Sequence, residues 1–313
     1  MARINGIDQD IFPLNLGGNP FGWTSDEAET HRVLDAFVAG GGNFVDTADV
    51  YSQWVDGHVG GESERVLGSW LASRGNRADV VVATKVGQLE GHLGLGRDNV
   101  RAALTNSLER LGTDHVDLYY AHRDDPETPI ADQVRTFDEL VREGSVRAIG
   151  LSNYSAARLR EWVDTARDLG ATLPAAVQNR YSLVARAEYE QDAAGVVAEF
   201  GLASFPYTAL ASGFLTGKVR SAEDLSKSSR SGATQKYLEA GGLAVVEALD
   251  TVAAAHDAEL STVALAWLLA KGVTAPIASV SRVEQLPALM AAPALVLTEG
   301  EVATLDAASA RFA

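Results

Sequence analysis

Short apolar runs alternate with amphipathic stretches along the whole chain, and this alternation limits the fold more than any other feature. Residues 14–16, 43–45, 79–84, 116–121, 147–151, 176–179, 202–207 and 275–279 each read as a buried strand, because each is a brief apolar run bounded by turn-forming residues. Between them the apolar positions take helical spacing, as in Val100, Leu104, Leu108 and Leu111, or Leu159, Trp162, Val163 and Leu169. Helix starts are expected at Thr24 or Ser25, at Asp98 and at Ser155. Strict βα alternation implies a parallel sheet. Eight units, seven of them at a spacing of roughly 30 residues, fit a closed (β/α)8 TIM barrel better than an open doubly wound sheet. No GxGxxG follows the first strand, which argues against a Rossmann domain. Asn5-Gly6 between Ile4 and Ile7 predicts a short N-terminal β-hairpin, and residues 282–290 and 299–311 predict extra C-terminal helices. Residues 211–234 read as irregular. With no linker or low-complexity tract, residues 1–313 are expected to form a single domain.

Charge narrows the class of ligand. With 26 Lys+Arg against 42 Asp+Glu, the net charge is −16. Such a chain repels phosphate backbones and anionic membrane surfaces, so neither nucleic acid nor membrane is an expected partner. An anionic ligand must meet a local basic site. The absence of cysteine removes disulfides, thiol catalysis and cysteine-ligated metals. No apolar run reaches membrane-spanning length and the first residues lack an apolar leader, so the expected location is cytoplasmic.

In a barrel of this kind, chemistry gathers where the strands end. Asp46 ends the second strand, with Tyr51 five residues on; Lys85 ends the third and His122 the fourth. Ser152 and Asn153 follow the fifth, Gln178 and Asn179 the sixth, and Tyr207 the seventh. Tyrosine is a weak acid, with an unperturbed pKa of about 10. A neighbouring lysine cation lowers that value, and a buried lysine needs a carboxylate partner. Asp46 holding Lys85, and Lys85 tuning Tyr51, make a consistent acid/base assembly. His122 is placed to orient a substrate oxygen or to relay a proton.

Asp46, Tyr51, Lys85 and His122 resemble the catalytic tetrad of the aldo-keto reductases, barrel enzymes that use a nicotinamide cofactor. The supporting stretches are Asn-Phe-Val-Asp-Thr-Ala-Asp-Val-Tyr-Ser (43–52), Asp-Leu-Tyr-Tyr-Ala-His (117–122), Ile-Gly-Leu-Ser-Asn-Tyr (149–154), Gln-Asn-Arg-Tyr-Ser (178–182) and Leu-Ala-Ser-Gly-Phe-Leu-Thr-Gly-Lys (210–218). The resemblance runs through essentially the whole chain. It implies hydride transfer from NADPH to a carbonyl (aldehyde, ketone or keto-sugar), with NADP+ as the product form and Tyr51 as proton donor. It also implies that Ser152, Asn153 and Gln178 hold the carboxamide and that Tyr207 stacks on the nicotinamide. Leu210, Ser212, Gly213, Leu215 and Lys218 would cover the pyrophosphate; Arg230, in a serine-rich stretch, is either a further cofactor contact or a solvated loop residue. By the same resemblance Ser281 and Arg282 would meet a 2′-phosphate at a helix N-terminus, favouring NADPH over NADH, with Gln285 near the adenine. The chain departs from the family pattern at Ser279, where glycine is usual, and at Pro287, Ala288 and Leu289, which replace a commonly polar stretch.

The substrate side draws on loops after the first, second and fourth strands: Asn19, Phe21 and Trp23, then Trp54 in the loop 52–61, then Arg123 and Asp124. Trp23, Trp54 and Arg123 are the candidate substrate contacts. Aromatic faces with scattered polar groups suit a polyol, sugar or cyclic ketone. His58, Glu62 and Glu64 lack the spacing of a metal motif, so no metal is expected, and a glycosidase would leave Lys85 and the phosphate loop without a role. Two alternatives remain at this stage: the same site run oxidatively as a sugar or alcohol dehydrogenase, and a cofactor-binding regulatory subunit. No oligomeric state is legible.

Overall fold

The computed structural model describes residues 1–225 and 231–313. The chain opens with a hairpin of β1 (Ala2–Ile4) and β2 (Ile7–Ile11), joined at Asn5-Gly6, where Gly6 takes the positive φ of +86° that this tight turn requires. Next come β3 (Asn15–Gly17), β4 (Phe44–Asp46) and β5 (Val81–Val86). A small antiparallel ribbon that the sequence did not announce, β6 (Gln88–Leu89) and β7 (His92–Leu93), follows β5. The remaining strands are β8 (Val116–Ala121), β9 (Val146–Ser152), β10 (Ala176–Gln178), β11 (Ala203–Ser204) and β12 (Ile277–Ala278).

Eight strands form one parallel sheet in the order β11, β10, β9, β8, β5, β4, β3, β12. Its two ends meet: Ile277 N donates to Pro206 O at 2.9 Å and Ala275 N to Ser204 O at 3.3 Å. These bonds close the (β/α)8 barrel. Helices α1 (Glu27–Ala39), α2 (Glu62–Arg74), α3 (Arg97–Leu111), α4 (Ile130–Arg142), α5 (Ala156–Leu169) and α6 (Ala194–Phe200) connect consecutive strands. Between β11 and β12 lie α7 (Ala222–Leu225), α8 (Ser231–Glu239), α9 (Leu243–His256) and α10 (Leu260–Ala270), and α11 (Leu286–Met290) and α12 (Glu299–Ala308) close the chain. The stretch expected to be irregular thus contains a 3-10 segment at Ala211–Thr216, α7 and the start of α8. No single described helix is long and apolar enough to cross a membrane.

Caps decide several boundaries. Asp26, not Thr24 or Ser25, caps α1 by accepting from Glu29 N at 2.8 Å. Ser155 caps α5 as expected, whereas α3 begins after Gly96 without a side-chain cap, so Asp98 lies inside its first turn.

The period of two along each strand divides the core into two shells. Val45, Val82, Tyr119, Ile149 and Val177 face the helices. Phe44, Val81, Ala83, Leu118, Tyr120, Ala148 and Ala176 fill the barrel, and Ile4, Ile7 and Ile11 of the hairpin join this inner cluster. Gly150 makes room inside: a Cβ there would stand 2.3 Å from the Tyr120 ring. Continuing the alternation upward by one layer gives Asp46 above Phe44, Lys85 above Ala83, His122 above Tyr120, Ser152 above Gly150 and Gln178 above Ala176. The polar strand ends are the next layer of the same inner face.

Candidate active site

Lys85 is the centre of that layer. It is completely buried, and its ammonium uses all three protons, donating to Asp46 Oδ2 at 2.5 Å, Thr47 O at 2.7 Å and Tyr51 Oη at 2.8 Å. A buried ammonium is tolerable only when paired and fully hydrogen-bonded, and this one is both. Burial still draws its pKa below the usual lysine value, against the pull of Asp46. Asp46 is equally occupied: Tyr51 Oη donates to Oδ2 at 3.2 Å and Gln178 Nε2 to Oδ1 at 2.9 Å. Lys85 Nζ also lies 4.5 Å from the centre of the Tyr51 ring.

Burial, followed by the Asp46 carboxylate, holds the Tyr51 phenol well above the ordinary tyrosine range. This reverses the direction expected from Lys85 alone, because desolvating a phenolate and placing it beside a carboxylate outweigh the nearby cation. Tyr51 is therefore a retained proton. The His122 ring centroid lies 6.3 Å from that of Tyr51, edge to face. Burial pushes its pKa well below the usual histidine value, with Lys85 and Arg123 adding to the effect, so the imidazole is neutral; its Nδ1 is buried and meets no partner.

Tyr51 and His122 border a cleft of about 950 Å³, within the size range of small-molecule sites, with Asp46 and Lys85 buried behind them. Tyr51, His122, Arg123, Ser152, Asn153, Gln178, Tyr207, Leu210, Ser212, Gly213, Lys218, Ser281, Arg282 and Gln285 all line it. Leu215 does not: it is fully buried in the outer core. Ser152 Oγ donates to Gln178 O at 2.8 Å, Asn153 Nδ2 to His122 O at 3.0 Å, and Tyr207 Oη to Asn153 Oδ1 at 2.7 Å. Gln178 faces Asp46 in this arrangement, so its amide ties the sixth strand to the tetrad as well as bordering the cleft.

The far end of the cleft suits an elongated polar ligand. Thr208, Ala211, Ser212 and Gly213 take left-handed backbone angles, with φ of 54°, 50°, 57° and 95°. Such strain is held in place at sites where backbone must approach something closely. Thr208 lines the cleft, and its buried Oγ1 has no protein partner. The residues present thus fit a dinucleotide. Sequence reasoning missed Thr208, because nothing in its spacing reports an unmet hydroxyl.

Two expectations change in form. The helix expected from Arg282 is a 3-10 turn, Val283–Gln285, followed by the short α11. Its leading amides are taken: Gln285 Oε1 accepts from Ser281 N at 3.0 Å and Arg282 N at 3.2 Å, and Glu29 Oε1 accepts from Val283 N at 2.7 Å. A phosphate here would meet side chains rather than bare helix N–H groups. Trp23 and Trp54 stand outside the lining as an edge-to-face pair with centroids 5.6 Å apart, Trp54 being 51% exposed and 6.3 Å from the Tyr51 ring. Phe21 belongs to the outer core. Arg230 lies outside the described residues. Glu64 is engaged by Arg110 at 2.6 Å, and Glu62 accepts from Val59 N at 3.1 Å.

Residues 13–310 match the model of the aldo/keto reductase family, and the chain belongs to that family. It is 35% identical over 292 residues to aldo-keto reductase str7 of Strobilurus tenacellus, covering 91% of this chain and 82% of that one. It is 30% identical to norsolorinic acid reductase of Aspergillus flavus (95% and 77% covered) and 30% identical to an aryl-alcohol dehydrogenase of Pestalotiopsis microspora (95% and 78% covered). The protein is an oxidoreductase of a family that acts on small-molecule carbonyl compounds with nicotinamide cofactors.

Proposed function

We propose that this chain is an NADPH-dependent carbonyl reductase with Tyr51 as the general acid. The observation that carries the reading is the buried relay in which Lys85 donates at once to Tyr51 Oη and to Asp46. A nicotinamide dinucleotide bound in the cleft supplies the hydride. Tyr51 gives its proton to the carbonyl oxygen as charge develops there, and the Lys85 N–H already aimed at Oη stabilises the phenolate left behind. Asp46 keeps Lys85 charged in a site where burial opposes that charge. His122, neutral, donates a hydrogen bond to the same oxygen and fixes the face presented for reduction.

Toward the cofactor we assign Ser152, Asn153 and Gln178 to the carboxamide and Tyr207 to the nicotinamide face. Leu210, Ser212, Gly213 and Lys218 take the pyrophosphate, with Leu215 anchoring that loop from beneath. Ser281 and Arg282 take a 2′-phosphate, and Gln285 the adenine side. The Trp23–Trp54 pair beside Tyr51 suits an aromatic substrate, in keeping with the aryl-alcohol dehydrogenase among the relatives. That relative's name also favours a second reading, in which the site runs as an alcohol dehydrogenase.

Tyr51→Phe tests the assignment. It removes the transferable proton and keeps the ring, so kcat for aryl aldehydes should fall by about 10²- to 10⁴-fold while NADPH affinity, read by quenching of protein fluorescence, stays within a few-fold. Retained kcat would assign the proton to another donor.

A further inference from the structure

The cations of this acidic chain are, among the described residues, almost all spoken for. Among the described residues, every arginine except Arg123, Arg282 and Arg311 has a carboxylate within 4.0 Å. Of the described lysines, Lys85 and Lys271 are paired, whereas Lys218 and Lys236 are not. Arg311 and Lys236 lie over aromatic rings, 6.0 Å from the centre of Phe312 and 4.9 Å from that of Tyr237. The three that remain, Arg123, Lys218 and Arg282, all line the one cleft. In a chain of net charge −16, an unneutralised cation is kept where an anion is expected.

Lys218 and Arg282 have proposed anions in the cofactor phosphates. Arg123 does not. It directly follows His122, at the Tyr51 end of the cleft. The carboxylate next to it in sequence, Asp124, is diverted: Arg158 grips it through Nε at 2.8 Å and Nη2 at 2.7 Å. The neighbouring Asp125 is likewise occupied, by Leu95 N at 2.7 Å and Thr128 Oγ1 at 2.7 Å. Two adjacent acids are thus withheld from an arginine that lines the cleft directly after His122.

We propose that Arg123 forms an anion subsite for the substrate, so that the preferred substrate is a carbonyl compound carrying a carboxylate. The inference rests on the reading that Tyr51 and His122 face the reacting carbonyl. The planar guanidinium matches a carboxylate through two parallel hydrogen bonds. Arg123 is exposed, so the attraction is screened as salt rises.

The test compares 3- and 4-formylbenzoate with their methyl esters as substrates of the full chain with NADPH. The wild type should show a kcat/KM ratio of acid over ester of about 10-fold or more for at least one isomer, shrinking with added salt. Arg123→Gln should bring that ratio to near unity without raising the KM for NADPH, and Arg123→Lys should restore part of it. Absence of an acid preference in the wild type, its persistence in Arg123→Gln, or a loss confined to NADPH binding would each overturn the proposal. If neither acid nor ester is reduced, the carbonyl-reductase reading fails, and calorimetry decides the subsite separately. Binding of 4-(hydroxymethyl)benzoate to wild type saturated with NADP+, lost in Arg123→Gln, supports it; equal binding or none in the wild type refutes it.

Discussion

Asp46, at the end of β4, and Asp49, three residues on in the loop that follows, live in opposite surroundings. Asp46 accepts from Lys85, Tyr51 and Gln178. Asp49 is completely buried with neither carboxylate oxygen hydrogen-bonded. Burial, with the Glu64 carboxylate adding to it, pushes Asp49 up to about 8 against the opposing pull of Arg110. Asp46 and Glu64 balance Lys85 and Arg110; a third carboxylate there is best kept protonated. The sign of the linkage follows. Between the unfolded value near 3.8 and about 8, the folded state holds a proton that the unfolded chain releases, so this group costs stability progressively as pH rises through that window and no further above it. Asp49→Asn keeps the shape without the titration. The variant should gain on the wild type steadily between about pH 4 and 8 in urea unfolding, and a pH-independent difference would refute the assignment. Asp49 carries no signal in the sequence, because spacing places a carboxylate without saying what surrounds it.

At the scale of the element, strand periodicity did most of the positioning. The strand-end positions of Asp46, Lys85 and His122 were legible in the sequence; their inward direction follows from the structure, where Phe44, Ala83 and Tyr120 face inward one layer below. The turn after β12 was not legible in the same way. Residues 282–290 have helical spacing, yet Gln285 and Glu29 occupy the leading amides, and Glu29 comes from α1, far away in the chain. With those amides committed, a 2′-phosphate, on the proposed reading, would be met by the Ser281 and Arg282 side chains. Arg282→Ala should therefore raise the KM for NADPH by about tenfold or more and leave that for NADH little changed in steady-state assays. Equal effects on both cofactors would remove the 2′-phosphate role.

For the whole molecule, the hairpin is a structural part of the barrel. Ile4, Ile7 and Ile11 join the inner cluster with Phe44, Leu118 and Tyr120. Ile11 is fully buried, so Ile11→Ala should cost about 2–5 kcal/mol in equilibrium unfolding. We propose that the chain is one domain, and the loss should then appear as a shift of a single transition; a separate early transition for the first residues would argue otherwise. Local pattern determined the element order, the parallel sheet, the strand-end positions of Asp46, Lys85 and His122, and the resemblance of Tyr51 and its neighbours to a family, because period and turn chemistry act over a few residues. Tertiary structure alone decided which partners those groups meet: the net upward push on Tyr51, the protonated state of Asp49, the commitment of Gln178 to Asp46, and the cation of Arg123 left free while Arg158 holds Asp124. Charge balance and desolvation sum over neighbours from many elements, and that sum exists only once the chain has closed.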